Sequence, residues 1–152
     1  MSAINRQILA MQAALEAAVP YAHVSAQPWT QTYRRVARRK ILENRLEAGF
    51  RHFAITLRSV RPFGMAGLSP RCYEAELIVT VAYPLAAHAA QAEEYFASEL
   101  DLLRELFEDC RHYADQQVRI VRHEESGIEE LGDERLLFHH RFSMLVDEDR
   151  PA

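Results

Sequence analysis

The chain has few cysteines, glycines and prolines, the residues that crosslink a fold or shape its turns. It holds two cysteines, five glycines and six prolines among 152 residues. Cys72 and Cys110 lie far apart and outside any paired motif, so we expect reduced, partly buried thiols rather than a disulfide or a catalytic nucleophile. The scattered glycines form no Walker A sequence and no dinucleotide fingerprint. These scarcities argue against a disulfide scaffold and a nucleotide-binding loop.

Long hydrophobic runs are also missing. No stretch approaches the roughly 20 apolar residues of a membrane span, and the start "MSAINRQILAMQ" lacks the order of a signal peptide. We therefore expect a chain made and kept in the cytoplasm, with no membrane partner. A composition of 49% hydrophobic and 26% charged residues is typical of a globular protein. The length predicts a single domain over residues 1–152 that needs no metal to fold.

Lysine is almost absent, because Lys40 is the only lysine among 18 basic residues. Six of these 18 lie in "YRRVARRKILENR", residues 33–45, beside a single acid, Glu43. This local excess contrasts with a net charge of −4 for the whole chain. The acidic counterpart is "EESGIEELGDE", residues 124–134, which holds six carboxylates and no base. The charge is thus polarised, whereas a nucleic-acid-binding domain is usually basic throughout.

Hydrophobic periodicity predicts two helices in the first third of the chain. A stripe from Ile4 to Val19 at steps of three and four predicts a helix over about residues 3–18, ended by Pro20. The stretch "YAHVSA", residues 21–26, is compatible with a short strand. A second helix is predicted from near Tyr33 to Gly49, within a helical insertion over about residues 30–48. Its basic side would carry Arg34, Arg35, Arg38 and Arg45, with Arg39 at the border.

Alternating side chains predict strands in the rest of the chain. The firmest are "HFAITLRSV", "CYEAELIVTVAYP" and "LLFHHRFSMLVDE", and "QVRIVRH", residues 117–123, is a shorter fourth. The inward set on the second strand includes Leu77, Val79 and Val81, and Phe142 and Met144 belong to the inward set of the last. The loop "RPFGMAGLSPR", residues 61–71, joins the first two.

A long helix over about residues 87–110 separates the strand pairs, and Phe96, Leu100, Leu103 and Phe107 form its apolar stripe. The predicted fold class is therefore α+β: one domain, a mainly antiparallel sheet of about four strands, helices on one face, and an extra basic helix.

The order of these segments resembles the tail terminator proteins of long-tailed bacteriophages. The resemblance covers most of the chain from Ser2 to Asp147, except the basic segment. Its most specific part is "YEAELIVTVAYPL" followed by an Ala- and Glu-rich helix, with "RHFAITLRSV" before it and "LLFHHRFSMLVDE" closing the chain. The resemblance is one of order and pattern, since this family has no catalytic motif to match.

The resemblance implies a structural role without catalysis. Such proteins form a hexameric ring that ends the tail tube and presents a surface to the head. The implied partners are other copies of the chain, the tail tube protein and a head-closure or neck protein. DNA would pass through the ring without specific binding. The implied location is the virion, after assembly in the cytoplasm of the host bacterium. The alternatives are another phage neck or head-tail joining protein, or a nucleic-acid-binding module that uses the basic helix 33–45.

No residue pattern points to a cofactor, a metal or an enzyme. The seven histidines lack the helical spacing and third ligand of a zinc site. His139 and His140 are neighbours on a predicted strand, so they should face opposite sides of the sheet. Adjacent acids such as Glu129 and Glu130 are more often solvated than catalytic. We therefore expect no catalytic residues, no metal and no cofactor.

The basic segment has three interpretations at this point: a solvated face, a surface that meets an acidic partner, or a contact to DNA phosphates. The acidic partner is the favoured one, and a neighbouring copy of the same chain would supply it. The predicted interface set joins four arginines to four glutamates: Arg34, Arg35, Arg38, Arg39, Glu124, Glu125, Glu129 and Glu130. In a head-to-tail ring one face of a subunit meets a different face of the next, so unlike charges can pair.

Overall fold

The computed structural model describes residues 2–19, 32–47, 50–64, 71–84, 92–131 and 135–152. Its elements, in chain order, are α1 (Ala3–Ala17), β1 (Tyr33–Arg35), α2 (Arg38–Leu42), β2 (Arg51–Pro62), β3 (Cys72–Pro84), α3 (Ala92–Glu108), a 3-10 turn (Cys110–His112), β4 (Val118–Leu131) and β5 (Arg135–Asp147). The α+β prediction is confirmed. The strand predicted over residues 21–26, the tip of the 61–71 loop and the start of the long helix lie outside the described residues.

One mixed sheet organises the fold. Its strand order is β1-β2-β3-β5-β4. The β2–β3, β3–β5 and β5–β4 pairs are antiparallel, and β1 pairs with β2 in parallel. The sheet therefore has five strands where about four were predicted. Within the described residues β4 forms one edge, while β1 and the part of β2 beyond it form the other.

The inner face of the sheet, defined as the face that packs against α1 and α3, carries the main core. Leu77, Val79 and Val81 of β3 have no exposed surface, and Phe142 and Met144 of β5 are at most 1% exposed. From α3, the buried side chains of Leu103 and Phe107 join the same cluster. The predicted inward placement of these five residues is confirmed. Helix α3 therefore covers the sheet as the apolar periodicity indicated.

Helix α1 begins at a side-chain cap. The hydroxyl oxygen of Ser2 accepts a hydrogen bond from the Asn5 backbone N–H at 3.2 Å. Met11 and Leu15 of its apolar stripe are buried in the core. The helix ends at Ala17, close to the predicted end.

The helix predicted from near Tyr33 to Gly49 is wrong at both ends within the described residues. Tyr33–Arg35 is a strand, and only Arg38–Leu42 is helical. Tyr33 turns its ring to the inner face, where it packs against Phe53 at 6.1 Å between ring centroids. Like charges four positions apart, such as those of Arg34 and Arg38, oppose a continuous helix here. The burial of Tyr33 therefore outweighs the helical periodicity of the segment.

Helix α2 covers part of the outer face, the side of the sheet opposite α1 and α3. Ile41 is fully buried there and forms a second small cluster with Ala54, Ala82 and Leu137. The Arg135 guanidinium donates hydrogen bonds to the carbonyl oxygens of Ile41 and of Leu42. Ala82 of β3 is therefore buried on the outer face, because α2 packs over it. Helices thus pack on both faces, although the outer cover is one short helix.

Strand β4 is about twice as long as predicted. It runs from Val118 to Leu131 and includes most of the acidic segment. Its pairing with β5 is interrupted twice, between Val118 and Ile120 and between His123 and Glu125. Each bulge adds a residue and reverses which side chains face inward. The alternation of inward and outward side chains is therefore interrupted in the sequence, although the strand continues.

Candidate interaction surface

A basic groove opens where β1 ends beside β2. It has a volume of about 560 Å³. Five cationic side chains line it, together with the side of β2: Arg34, Arg35, Arg38, Lys40, Arg45, His52, Ala54, Ile55 and Thr56. Among the described residues of the lining, Glu47 is the only carboxylate. The turn after α2 brings the later basic residues back to the groove, with Asn44 in the left-handed region at φ 55°. The groove thus concentrates positive charge that the sequence distributes over 12 positions.

Three of the four predicted arginines have a polar partner within the chain. Arg34 lies 3.2 Å from Glu47 and stacks over the Phe50 ring at 4.8 Å. The Arg35 guanidinium donates to the Gln12 amide oxygen at 2.7 Å, and Arg39 donates to Glu43 at 2.7 Å. These pairs are exposed, and pairs of this kind contribute at most about 1 kcal/mol.

Arg38 and Lys40 differ from the other basic residues of the groove. Among the described residues neither has an ion pair or a side-chain hydrogen bond. Both are exposed to solvent. They are therefore the two cations of the groove that a partner can engage without first breaking a contact within the chain.

The acidic residues lie on the opposite edge of the sheet, along the second half of β4. Glu124 accepts hydrogen bonds from Ser143 at 2.6 Å and from Arg122 at 3.2 Å. These bonds, the Ser143 bond foremost, lower the pKa of the Glu124 carboxyl. Glu125 pairs with Arg141 at 3.2 Å. Both carboxylates therefore serve a charge network on the outer face.

The last two predicted glutamates lie nearer the end of β4. Glu129 is 2.8 Å from the Nε2 atom of His139. Glu130 is exposed and has no partner among the described residues. Glu130 thus resembles Arg38 and Lys40 in being an exposed charged side chain without a partner among the described residues.

The two charged sets lie at the same height on opposite edges. In the sheet register Arg34 pairs with His52, His52 with Ala82, Ala82 with Leu137, and Leu137 with Glu129. Arg34 and Glu129 therefore share one rung that crosses all five strands. Four strand spacings of about 4.8 Å place the edges roughly 19 Å apart. No ion pair joins the two sets within one subunit in the described part of the chain. The arrangement is suited to contact between copies.

A buried polar network, which the sequence did not reveal, connects the two edges beneath the inner face. Glu99 of α3 accepts a hydrogen bond from the Tyr33 hydroxyl at 2.8 Å, and its other oxygen lies 2.7 Å from His140 Nε2. The Ser126 hydroxyl lies 2.7 Å from His140 Nδ1 and 2.6 Å from His123 Nε2. Burial, then the Glu99 carboxylate, raise the pKa of Tyr33 well above its ordinary value. The network therefore ties β1, α3, β5 and β4 together.

This network contains the side chains of an acyl-transfer triad, but its geometry favours a structural role. Ser126, His140 and Glu99 stand in the order of nucleophile, base and orienting acid. A nucleophile needs an approach to its oxygen, and the Ser126 oxygen is held between two imidazoles instead. The side chains of His140 and Glu99 are completely enclosed. We interpret the network as a brace for β1 and β4.

One signal in the sequence could have revealed the brace. Tyr95, Glu99 and Leu102 follow helical spacing and all three are buried, so Glu99 is an acid within an apolar face of α3. His140 likewise stands within the inward set of β5. An acid and a histidine at core positions of packed elements predict a buried pair, because a buried charge needs a partner.

Within the part of the chain that the structure describes, the remaining histidines and cysteines form no further cluster. His139 faces outward and lies 3.3 Å from the Thr80 hydroxyl, so the prediction that His139 and His140 face opposite sides is confirmed. His23 and His88 lie outside the described residues. Within the described ranges no group of three histidine, cysteine or acidic side chains is placed to hold a metal. Cys72 is buried, Cys110 is exposed, and both are free thiols.

No protein-family model matches the chain, and no curated protein matches it. None of the described helices is long and apolar enough to cross a membrane.

Proposed function

We propose that the protein is a structural subunit of a phage tail, a tail-terminator-like protein that forms a ring, hexameric in this family. The ring would end the tail tube and join it to the head-closure or neck protein, and DNA would pass through it without specific binding. The protein would act in the virion and have no catalytic activity. The bases of the proposal are the order of segments that resembles this family and the placement of charge on the sheet.

The observation that carries the proposal is the shared rung of Arg34 and Glu129. A head-to-tail contact joins two different surfaces, and it closes into a ring when the rotation between copies closes. Opposite charge on the two edges favours this contact over a symmetric one, because a symmetric contact would bring like charges together.

A charge-reversal series tests the ring. Arg34→Glu combined with Arg38→Glu should abolish oligomers in mass photometry at high protein concentration, or in the presence of tail tube protein, and leave the circular dichroism spectrum unchanged. The matched control is Arg71→Glu with Arg150→Glu, two exposed arginines at the far end of the sheet. This control should assemble like the parent. A parent chain that stays monomeric under every such condition would overturn the proposed function.

Compensating charge reversals test whether the acidic edge of a second copy is the partner of the basic groove. Adding Glu129→Lys and Glu130→Lys to the double reversal restores attraction at every head-to-tail contact, because each contact joins one basic and one acidic edge. We expect partial recovery of the oligomer. Assembly that is lost in the double reversal and not recovered in the fourfold variant would point to an acidic partner other than a second copy.

A nucleic-acid-binding role is the second function that an observation favours. Arg38 and Lys40 have no partner among the described residues, and phosphate oxygens would satisfy both. In that case duplex or single-stranded DNA should bind with a steep salt dependence, and Arg38→Gln with Lys40→Gln should reduce both the affinity and the slope. The ring proposal predicts that this double variant instead weakens subunit association and that the parent retains no DNA at physiological salt.

A further inference from the structure

We infer that neighbouring copies join by strand addition: β4 of one copy pairs antiparallel with the uncovered edge of β2 in the next. In this contact Ile128 would lie opposite Leu57, and Glu129 would enter the basic groove beside Thr56. The inference rests on the proposed ring and specifies its joint. It depends on three observations, which concern the free backbone, the exposed apolar side chains and the register.

The first observation is that both strands have a free edge. Strand β1 pairs with β2 only over Arg51–Phe53. Beyond that point no described strand pairs with the outer side of β2, from Ala54 to Pro62. Strand β4 is likewise unpaired on its outer side within the described residues. Unpaired backbone N–H and C=O groups of an edge strand are a template for another strand. Strands β2 and β4 run in opposite directions, so pairing between copies would be antiparallel.

The second observation concerns exposed apolar side chains on these edges. On the inner side of β2, Leu57 is 40% exposed and Val60 is 45% exposed. On the inner side of β4, Ile128 is 42% exposed. Large apolar side chains on a free edge favour aggregation unless a partner covers them. Placing Ile128 against Leu57 makes a cross-strand apolar pair that shields both.

The third observation is that the apolar pair and the charges require the same register. With Ile128 opposite Leu57, antiparallel counting places Glu129 opposite Thr56, which lines the basic groove. Glu129 points to the outer face, as Leu137 does on the same rung. Thr56 alternates with Ile55, which packs on the inner core, and so also faces outward. One register therefore satisfies both faces of the sheet.

This register also has the stagger of a closed barrel. Within one subunit the rung of Glu129 reaches β2 at His52, whereas between subunits Glu129 would meet Thr56. The stagger is four residues, about 13 Å at roughly 3.3 Å per residue, over four strand spacings of about 4.8 Å. These lengths correspond to a strand tilt of about 35°, which lies within the range of roughly 35–45° found in closed sheets.

Disulfide trapping tests the joint. In a Cys110→Ser background, which removes the exposed native thiol, we would prepare Leu57→Cys and Ile128→Cys as separate proteins. Directly opposed residues of antiparallel strands are close enough for a disulfide. Oxidation of the mixture should give a covalent dimer, and neither protein should crosslink alone. A chain that carries both substitutions should give a ladder of linked oligomers. The control is Val19→Cys mixed with Ile128→Cys, since Val19 is 82% exposed and outside both edges.

The outcomes separate the joint from the ring. A several-fold excess of dimer over the Val19 control supports the joint, and replacing Leu57→Cys by Val60→Cys should lower the yield if the register is right. Self-crosslinking of Leu57→Cys would mean a symmetric β2–β2 contact and would overturn the joint. A mixture that assembles by mass photometry but crosslinks no better than the control would leave the ring intact and reject the joint. Failure of the parent to assemble would reject both.

Discussion

Glu99 of α3 holds two strands through buried contacts. Its carboxylate is the shared partner of Tyr33 and His140, so it fixes β1 to α3 and α3 to β5. Removing the shared acceptor of a buried polar network leaves its partners without compensation. The brace also positions the strand that carries Arg34. A change at Glu99 should therefore affect both stability and the shape of the basic groove.

The first prediction concerns this carboxylate. Glu99→Ala should lower the free energy of unfolding by about 3–5 kcal/mol, because Tyr33 and His140 lose their buried acceptor. Glu99→Gln should cost less, since its amide oxygen can still accept one hydrogen bond. Urea unfolding followed by circular dichroism measures both. The control is Asp101→Ala at an exposed position of the same helix, expected within about 0.5 kcal/mol of the parent. Equal stability of Glu99→Ala and the control would contradict the brace.

The second prediction concerns pH. Burial lowers the pKa of both His52 and His123 in the folded protein, and the charges of His140 and Arg104 lower that of His123 further. A histidine with a depressed folded pKa stabilises the fold above its unfolded pKa of about 6.5. This stabilisation is lost as the pH falls, because the unfolded state then binds more protons. The urea midpoint should therefore be nearly constant from about pH 7 to 8 and decline below about 6.5.

A substitution at His123 tests how much one histidine contributes to this pH dependence of the urea midpoint. His123→Gln should flatten the decline between about pH 7 and 5 relative to the parent, because one of the two depressed groups is gone. His112→Gln, at an exposed position in the 3-10 turn, controls for the loss of a histidine side chain. A midpoint that rises as the pH is lowered from 7 would show that the sign is wrong.

At the scale of elements, helix α3 gives the clearest test of periodicity. Leu103 is completely buried, whereas Leu100 is only half-buried on the flank of the helix. The third prediction is that Leu103→Ala costs about 2–5 kcal/mol of unfolding free energy, as is usual for a buried leucine. Leu100→Ala should cost distinctly less, because it removes fewer buried contacts. Thermal and urea unfolding of the two variants measure the difference, and the reverse order would place the wrong face of α3 on the sheet.

Strands β3 and β5 show why most of the fold could be predicted from the sequence. Both alternate without interruption along the part that covers the core, so the period of two identifies the buried face. The boundaries of β3 were predicted correctly. Helix α1 was equally clear, because it has one continuous stripe and a cap. Local pattern and tertiary burial agree in all three elements.

The basic segment and β4 show why the rest could not be predicted. In residues 33–45 a helical period coexists with a strand, and contacts of Tyr33 with residues of other elements, such as Phe53 and Glu99, stabilise the extended form. In β4 the bulges shift the alternation, and the charged edge looks like a loop. The brace needs residues from four elements. Contacts of this kind depend on the assembled sheet and leave little trace in any one segment.

At the scale of the whole molecule, the sheet is electrically polarised across its width. The basic set on one edge and the acidic set on the other exceed what ion pairs within the chain neutralise, since Arg38, Lys40 and Glu130 have no partner among the described residues. Under the proposed function, such a subunit would attract a copy of itself side by side. The apolar side chains on the same edges would then be covered only after the charges have aligned the two copies.

The last prediction follows from this division of roles. Charges on the rim of an interface steer association and are screened by salt, while strand pairing and apolar contact are much less sensitive to it. Raising the salt from about 0.05 to 0.5 M should therefore slow ring formation strongly, because the screening length falls from more than 10 Å to about 4 Å. Dissociation of rings already formed should change less. Stopped-flow light scattering measures the rate of ring formation. Dilution followed by mass photometry measures the rate of dissociation.

Arg38→Gln with Lys40→Gln is the matched variant for this measurement, because it removes the two unpartnered cations of the groove and no contact within the chain. Its association should be slow at low salt and nearly independent of salt, whereas its dissociation should stay close to that of the parent. Leu57→Ser should have the opposite profile, with normal salt-dependent association and faster dissociation, since it removes apolar contact at the joint and no charge. If the two variants changed the association and dissociation rates in the same way, charge would not act mainly on association and apolar contact would not act mainly on dissociation.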